Sequence, residues 1–226
     1  MRPQEADWIR AALMSRGADE MSPIANVGSQ TLEFRTRKKP HIENSLFRPL
    51  RQAGYRVVNI DIQEDAGVDV AGDLTDPAFV ATLKTMGFRS VICANLLEHL
   101  ADRGPLSAAL VDIVAEGGRV VLTVPYSYPY HPDPIDTLYR PSPADLAEAF
   151  PRMTLVKGEV LVDGTLRNEA FAGGLVAGLR YFTMAGLRML NVARPRIALA
   201  QLHRMLWLFR SFKVSCVVLE KAGRRA

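Results

Sequence analysis

The sequence predicts an α/β fold, a doubly wound and mostly parallel sheet with helices on both faces. Apolar runs of strand length alternate with segments of helical apolar spacing, which is the rhythm of right-handed crossovers between parallel strands. Several of these runs end in a polar or glycine-containing turn. The chain has 226 residues, of which 48% are hydrophobic and 23% charged, enough for one sizeable core. We therefore expect residues 1–226 to form a single domain.

Each predicted element follows from local signals. The second predicted helix, for example, begins with Asp76 as N-cap and Pro77 at the first helical position, and it stops at Gly87. The predicted helices cover residues 42–54, 76–87, 105–118 and 142–150. The predicted strands cover residues 22–30, 55–62, 67–74, 88–97, 119–126, 153–162 and 213–221.

A helical insertion is predicted before the last strand, at residues 171–212. From Phe171 to Val218 the chain has seven basic residues and no acidic ones. Its longest uncharged stretch is too short to span a bilayer, which needs roughly 18 residues. Pro195 is expected to divide the insertion into two helices. It could form a lid whose arginines extend to solvent, a membrane-surface element that contacts lipid or a lipid carrier, or a homodimer surface.

Charge and cysteine content narrow the class of protein. The net charge of +4 comes from the insertion rather than from the whole chain, which argues against a nucleic-acid footprint. Cys93 and Cys216 lie in apolar runs and are expected to be buried free thiols. The N-terminal segment lacks a signal-peptide pattern. We expect a cytoplasmic protein, with peripheral contact at the inner membrane face through residues 171–212 as a further expectation.

Residues just beyond the strands are the candidates for ligand binding, because ligands of open parallel sheets lie at the carboxyl ends of the strands. The strand ends carry Asn26 to Ser29, Asp61, Gly72 with Asp73, Asn95 with Leu96, and the loop from Pro125 onward.

These turns, in this order, resemble the class I S-adenosylmethionine-dependent methyltransferases, which have a Rossmann-like sheet. The strings that carry the resemblance are ANVGSQ, VVNIDI, AGDLTD, VICANLLEHLAD and GGRVVLTVPY. The resemblance runs from Ile24 to Phe150 and includes the last predicted strand. It implies S-adenosylmethionine as cofactor and methyl transfer to an oxygen or nitrogen of a small or glycan-like acceptor.

The resemblance also implies which residues bind the cofactor. Gly28, flanked by Asn26 and Ser29, matches the turn along which the cofactor lies. Asp61, followed by Ile62, matches the acid that accepts hydrogen bonds from the ribose hydroxyls. The remaining matches are Asp73 and the backbone of Leu74 beside the adenine, and Asn95 and Leu96 beside the methionyl portion.

The glycine turn departs from the family pattern in two ways. Asn26 stands where the family usually has an acid, and Ser29 and Gln30 follow Gly28 where further glycines are usual. An alternative function therefore stays open: a catalytically inactive, methyltransferase-like binding or scaffold protein that uses the basic insertion for membrane or partner contact.

The segment 123–146 is rich in proline and tyrosine and is expected to wall an acceptor pocket. Removing a proton from an oxygen acceptor needs a base, and His131, His99 and Asp136 are the candidate catalytic residues. Structural alternatives stay open for both histidines: His99 could cap a helix start, and His131 could simply bond to Asp133 or Asp136.

No metal site is expected from the sequence. The string ANLLEHL approaches an E-x-x-E-H pattern that supplies metal ligands in a few methyltransferases of this fold, but Asn95 replaces the first glutamate. Glu98 and His99 remain, and two ligands without a third do not predict a metal.

Overall fold

The strands form one seven-stranded sheet in the order β3-β2-β1-β4-β5-β7-β6. The computed structural model describes residues 1–131, 135–190 and 195–223, without the side chains of Arg196, Ile197 and Ala200. β1 to β5 pair in parallel, whereas β7 pairs antiparallel with both β5 and β6. The predicted fold class is confirmed. The strands are β1 Ile24–Val27, β2 Val57–Asp61, β3 Val70–Ala71, β4 Phe88–Ala94, β5 Val114–Ser127, β6 Met153–Thr165 and β7 Ser211–Lys221.

Helices cover both faces of the sheet. They are α1 Pro3–Leu13, α2 Ala18–Met21, α3 Arg48–Gln52, α4 Pro77–Lys84, α5 Gly104–Ile113, α6 Pro143–Glu148, α7 Leu166–Phe171, α8 Leu175–Met189 and α9 Pro195–Met205. Wider π-type turns at Phe34–Lys38 and Ile42–Phe47 precede α3, and 3-10 turns cover Leu97–His99 and Leu206–Leu208.

One predicted helix ends earlier than its sequence pattern indicates. The helix predicted to reach residue 118 stops at Ile113, and Val114 is already extended and pairs with Phe88. Gly117 has φ +71°, and a Cβ on Gly118 would lie 2.6 Å from the carbonyl oxygen of Arg89. The two glycines therefore form an irregular start to β5, where the backbones of β4 and β5 approach closely, rather than the end of a helix.

Helix α1 was not predicted, although its sequence contains the signals for it. Pro3 occupies the first turn, and the Glu5 carboxylate accepts a hydrogen bond from the Arg2 amide at 2.9 Å. Ala6, Ile9 and Leu13 recur at helical spacing and are fully buried. The helix packs against the sheet and carries Glu5 to the strand ends.

The core has two layers because successive side chains of a strand point to opposite faces. On β4, Val91 and Cys93 pack on the side of α4 and α5, whereas Ile92 packs on the side of α1. Cys93 and Cys216 are free and buried, as predicted, and burial raises the pKa of both thiols.

The described residues between β6 and β7 are mostly helical, and a small cluster of Leu166, Trp207 and Phe212 joins them to the sheet. Helix α9 begins at Pro195, where the sequence predicted a division of the insertion. Among the described residues, no helix combines the length and apolar character required to cross a bilayer.

Candidate functional site

The turn after β1 is held tightly against the ends of β2 and β4. Gly28 has φ +68°, a left-handed conformation that favours glycine, and a Cβ there would lie 3.1 Å from Cδ2 of Leu96. The Ser29 amide donates to the Ile60 carbonyl oxygen at 3.1 Å, and Ser29 is buried. The Leu96 side chain therefore packs against the glycine turn.

Asp61 closes the same turn from the end of β2. Its carboxylate accepts hydrogen bonds from the amide of Gln30 at 2.8 Å and the amide of Gln63 at 3.3 Å. A carboxylate has about four acceptor positions, so Asp61 keeps capacity for donors from a ligand. Ile62, the next residue, is 66% exposed at the rim.

Arg35 fixes the backbone of the turn and was not singled out by sequence reasoning. Its guanidinium donates to the carbonyl oxygens of Ser29 at 2.8 Å, Gln30 at 2.5 Å and Gly67 at 2.7 Å. The residue is only 4% exposed. It lies in the string FRTRK, and no pattern distinguishes it there from its exposed neighbour Arg37.

Asn26, predicted to bind the cofactor, lies in β1, and its side chain bonds to β2. Its buried side-chain amide donates to Oδ1 of Asn59 at 3.0 Å, and Asn59 in turn donates to Asp69 at 2.9 Å. The substitution of the usual acid by asparagine thus builds an amide pair between β1 and β2.

Asp73 and Leu74 follow β3. The Asp73 side chain accepts a hydrogen bond from the Thr75 amide at 2.8 Å, which lowers the pKa of this exposed carboxyl. The side chain of Leu74 belongs to the core, so only its backbone is available to a ligand.

Asn95 meets a carboxylate from the N-terminal helix. Its side-chain amide donates to Oε1 of Glu5 at 2.6 Å, and the Thr123 hydroxyl donates to the same oxygen at 2.5 Å. Glu5 is 1% exposed. Sequence reasoning missed Glu5, and the available signal was the helical pattern of α1.

Among the described residues, the non-glycine residues with positive φ are Gln30 at +57°, Asn95 at +51° and Leu138 at +58°. Such conformations cost of order 1–3 kcal/mol each and are concentrated at functional sites. Their positions coincide with the predicted cofactor side and with the segment that carries the predicted catalytic residues.

The predicted catalytic residues lie together. The rings of His99 and His131 meet edge to face with centroids 5.4 Å apart. Nδ1 of His131 lies 3.0 Å from Oδ2 of Asp136, and the His131 amide donates to the same oxygen at 3.1 Å. Arg140 binds Asp136 through two hydrogen bonds of 3.0 and 2.6 Å. All four residues therefore form one cluster, the His/Asp cluster, defined as His99, His131, Asp136 and Arg140.

The charges in the His/Asp cluster follow from burial and pairing. Desolvation lowers the pKa of His131, with the Asp136 charge opposing it. Burial alone would raise the pKa of Asp136, but hydrogen bonds from Arg140, from the Leu138 amide and from the His131 amide outweigh burial and lower it. At neutral pH the pair is thus a neutral imidazole beside an ionised carboxylate.

Glu98 precedes His99 in the Leu97–His99 turn, and its Oε1 lies 3.8 Å from Nε2 of His99. It is fully buried, and neither carboxylate oxygen hydrogen bonds to another described residue. Desolvation, reinforced by the charge of Glu5, raises the pKa of Glu98 to about 7.

The chain around Glu98 is fastened to the tyrosine- and proline-rich loop. The amide and the hydroxyl of Thr137 both donate to the Glu98 carbonyl oxygen, at 2.9 and 2.8 Å. Arg103 donates to the Thr137 hydroxyl at 2.7 Å and lies over the ring of Tyr139, 4.0 Å from its centroid. The candidate Asp133 lies outside the described residues, together with Pro132 and Pro134.

No protein-family model matches this sequence, and no curated protein matches it by sequence. Solved structures do match the fold. Coclaurine N-methyltransferase bound to N-methylheliamine and SAH aligns with a TM-score of 0.56 at 10% identity, over 96% of this chain and 72% of that chain. The MccD protein aligns with a TM-score of 0.53 at 12% identity, over 96% of both chains.

A third similar structure is geranyl diphosphate C-methyltransferase from Streptomyces coelicolor A3(2), crystallised with S-adenosyl-L-homocysteine. It aligns with a TM-score of 0.51 at 13% identity, over 97% of this chain and 77% of that chain. The strand order of the sheet and these alignments indicate the same fold. The chain has the fold of the class I S-adenosylmethionine-dependent methyltransferases.

Proposed function

We propose that the chain binds S-adenosylmethionine at the ends of β1, β2 and β4 and transfers its methyl group to an oxygen or nitrogen of a small or glycan-like acceptor. The observation that carries this proposal is the pairing of the left-handed Gly28 turn with the Asp61 carboxylate, which accepts the Gln30 amide at 2.8 Å. Glycine allows the left-handed conformation of the turn, and the carboxylate keeps acceptor positions for a ribose diol. The residues present therefore fit the cofactor.

The remaining cofactor contacts are assigned by position. Ile62 is exposed beside Asp61 and would lie against the adenine, with Asp73 and the Leu74 backbone at its amine. Asn95 and Leu96 would border the methionyl portion.

On the acceptor side, the chain has to align the acceptor and accept its proton. S-adenosylmethionine, when bound, supplies a methyl group on a sulfonium, so the protein mainly provides alignment and exclusion of water. We assign acceptor contact to His99 and His131. Asp136 is a positioning residue, because its oxygens are taken up by Arg140, by His131 and by the Leu138 amide.

Replacing Asp61 with alanine tests the proposal. At a concentration of about 100 Kd, S-adenosylhomocysteine should stabilise the wild-type protein by about 2.7 kcal/mol, which raises the melting temperature by about 5–10 °C. In D61A the shift should disappear, because the diol loses its acceptor. Differential scanning fluorimetry and calorimetric titration measure both.

The matched control is E64A, which removes an exposed carboxylate three residues away. It should keep the full shift. A wild-type protein that neither cofactor form stabilises at millimolar concentration would refute methyl transfer and leave the scaffold alternative.

Exposed apolar side chains in the insertion favour a membrane-contact role. Val176, Leu179 and Leu187 on α8, together with Leu190 at its C-cap, share an exposed face and are 58–79% exposed. Leu199, Leu202, Leu206 and Phe209 form a second exposed apolar row in and after α9, at 58–84% exposure. Arg180 and Arg188 are exposed near the α8 row. We infer that this surface, defined by the two rows and the two arginines, contacts anionic lipid.

Co-sedimentation with anionic vesicles tests this second proposal. Each basic residue near an anionic surface contributes about 1 kcal/mol, so R180Q/R188Q should bind about 30-fold more weakly. Vesicles of zwitterionic lipid should bind little of either protein. The control R48Q/R56Q removes two exposed arginines elsewhere. Equal loss in both variants would indicate a net-charge effect, and a concentration-dependent dimer without vesicle binding would favour the homodimer surface.

A further inference from the structure

The structure brings a third potential metal ligand to Glu98 and His99. One ligand atom each from Glu98, His99 and His131 lies within 4.8 Å of the other two. His131 comes from the loop 32 positions after His99 in the sequence, so spacing alone could not connect them. The segment around Glu98 and the loop that contains His131 are held together by the hydrogen bond from the Thr137 hydroxyl to the Glu98 carbonyl oxygen.

The Glu98 carboxylate is the observation that calls for a ligand. It is fully buried, and neither of its oxygens hydrogen bonds to another described residue. Oε1 lies 3.8 Å from Nε2 of His99, too far for a hydrogen bond. A buried carboxylate without hydrogen-bond partners is costly when it is ionised, and either protonation or coordination of a cation offsets that cost.

Both imidazoles are oriented as metal ligands usually are. Nδ1 of His99 lies 2.5 Å from the Ile135 carbonyl oxygen. Since a carbonyl can only accept, Nδ1 carries the proton and Nε2 presents a lone pair toward Glu98. Nδ1 of His131 likewise faces the Asp136 carboxylate at 3.0 Å and the Pro129 carbonyl oxygen at 3.3 Å. Metal-binding histidines almost always donate their second N–H to a carboxylate or a backbone carbonyl.

We propose that Glu98, His99 and His131 bind a divalent transition metal ion of the zinc type. Two imidazoles and one carboxylate suit Zn²⁺ or Co²⁺, whereas Mg²⁺ and Ca²⁺ prefer all-oxygen sites. Three protein ligands leave a coordination position open for an acceptor oxygen. Tetrahedral zinc places its ligand atoms about 3.4 Å apart. Glu98 and His99, at 3.8 Å, would have to close by about 0.4 Å, and the pairs that include His131, which lie within 4.8 Å, by at most about 1.4 Å.

This inference replaces the sequence-based expectation of no metal and changes the role of the two histidines. They become ligands, and a bound cation would lower the pKa of a coordinated hydroxyl group and so assist its deprotonation. Only this role rests on the proposed methyl transfer. Binding of the cation is independent of the cofactor.

Titration of the untagged, chelator-treated full-length protein with Co²⁺, without any cofactor, tests the site. A visible absorption band that saturates at one equivalent is expected, and Zn²⁺ should displace it, while Mg²⁺ at the same concentration should not. E98Q and H131N should each weaken binding at least 100-fold. D136N should weaken it 10–100-fold, because Asp136 orients a ligand.

The control H203N removes a histidine in α9, far along the chain from the three proposed ligands, and should bind Co²⁺ as the wild-type protein does. Melting curves and retained S-adenosylhomocysteine binding by E98Q check that the variant is folded. Absence of a saturating band in the wild-type protein, or wild-type Co²⁺ affinity in E98Q and H131N, would overturn the metal site. If the wild-type protein binds Co²⁺ but does not bind S-adenosylhomocysteine, the proposed function is overturned and the metal site is not.

Discussion

Replacing Arg35 with methionine is expected to lower the free energy of unfolding by about 3–5 kcal/mol and to weaken cofactor binding by more than 10-fold. The guanidinium donates to three carbonyl oxygens, and its removal leaves them in a buried place without donors. Two of these oxygens belong to Ser29 and Gln30, so the turn that faces the proposed cofactor would lose its conformation. Denaturant unfolding and calorimetric titration with S-adenosylhomocysteine measure the two effects.

The matched variant is R37M, two residues away. Arg37 is exposed, so its replacement should change stability by no more than about 0.5 kcal/mol and leave cofactor affinity unaltered. If R35M unfolds like the wild-type protein, then Arg35 does not hold the turn. If R35M loses stability but keeps full affinity, the turn is fixed by Asp61 and Gly28 alone.

Replacing Phe212 with alanine should cost about 3–5 kcal/mol of stability, the range found for deleting a buried aromatic side chain. Phe212 is fully buried at the start of β7. It packs with Leu166 and Trp207, lies 5.1 Å from the ring of Tyr128, and carries the Arg2 guanidinium 4.1 Å above its ring. Phe212 therefore connects the helical insertion with the tyrosine- and proline-rich loop and with the N-terminal helix.

The control for this prediction is F209A, which lies three residues earlier and is 84% exposed. Its stability should stay within about 0.5 kcal/mol of the wild-type value. If the exposed apolar rows contact lipid, F209A should weaken vesicle binding while F212A mainly lowers the unfolding midpoint. Equal unfolding midpoints for the two variants would show that the small cluster of Leu166, Trp207 and Phe212 contributes little to stability.

Much of the fold was predictable because strands and helices have different apolar periods. The seven predicted strands correspond to β1 to β7, and the predicted helix at 76–87 contains α4. The predictions failed where glycines acted through tertiary contacts. Gly117 and Gly118 look like a helix end in the sequence, but they allow close approach of β5 to β4.

The rule that ligands lie at strand ends predicted which positions along the chain are candidate site residues. It did not predict which other residues form hydrogen bonds with them. Glu5 and Arg35 meet the site from elements that precede and follow β1. The helical pattern of α1 was an available signal for Glu5, but nothing in the local sequence of Arg35 indicates its burial. Hydrogen bonding between Asn26 and Asn59 required the register of β1 and β2.

By itself, the sequence determined the alternation of elements, the polar residues at the strand ends and the basic, acid-free insertion. These properties are local, because they depend on residue type and spacing along the chain. Only the tertiary structure decided which distant residues meet: Glu5 with Asn95, Arg35 with the glycine turn, and His131 with His99 and Glu98. Such contacts depend on loop paths and burial, and pairwise spacing in one sequence contains no information about either.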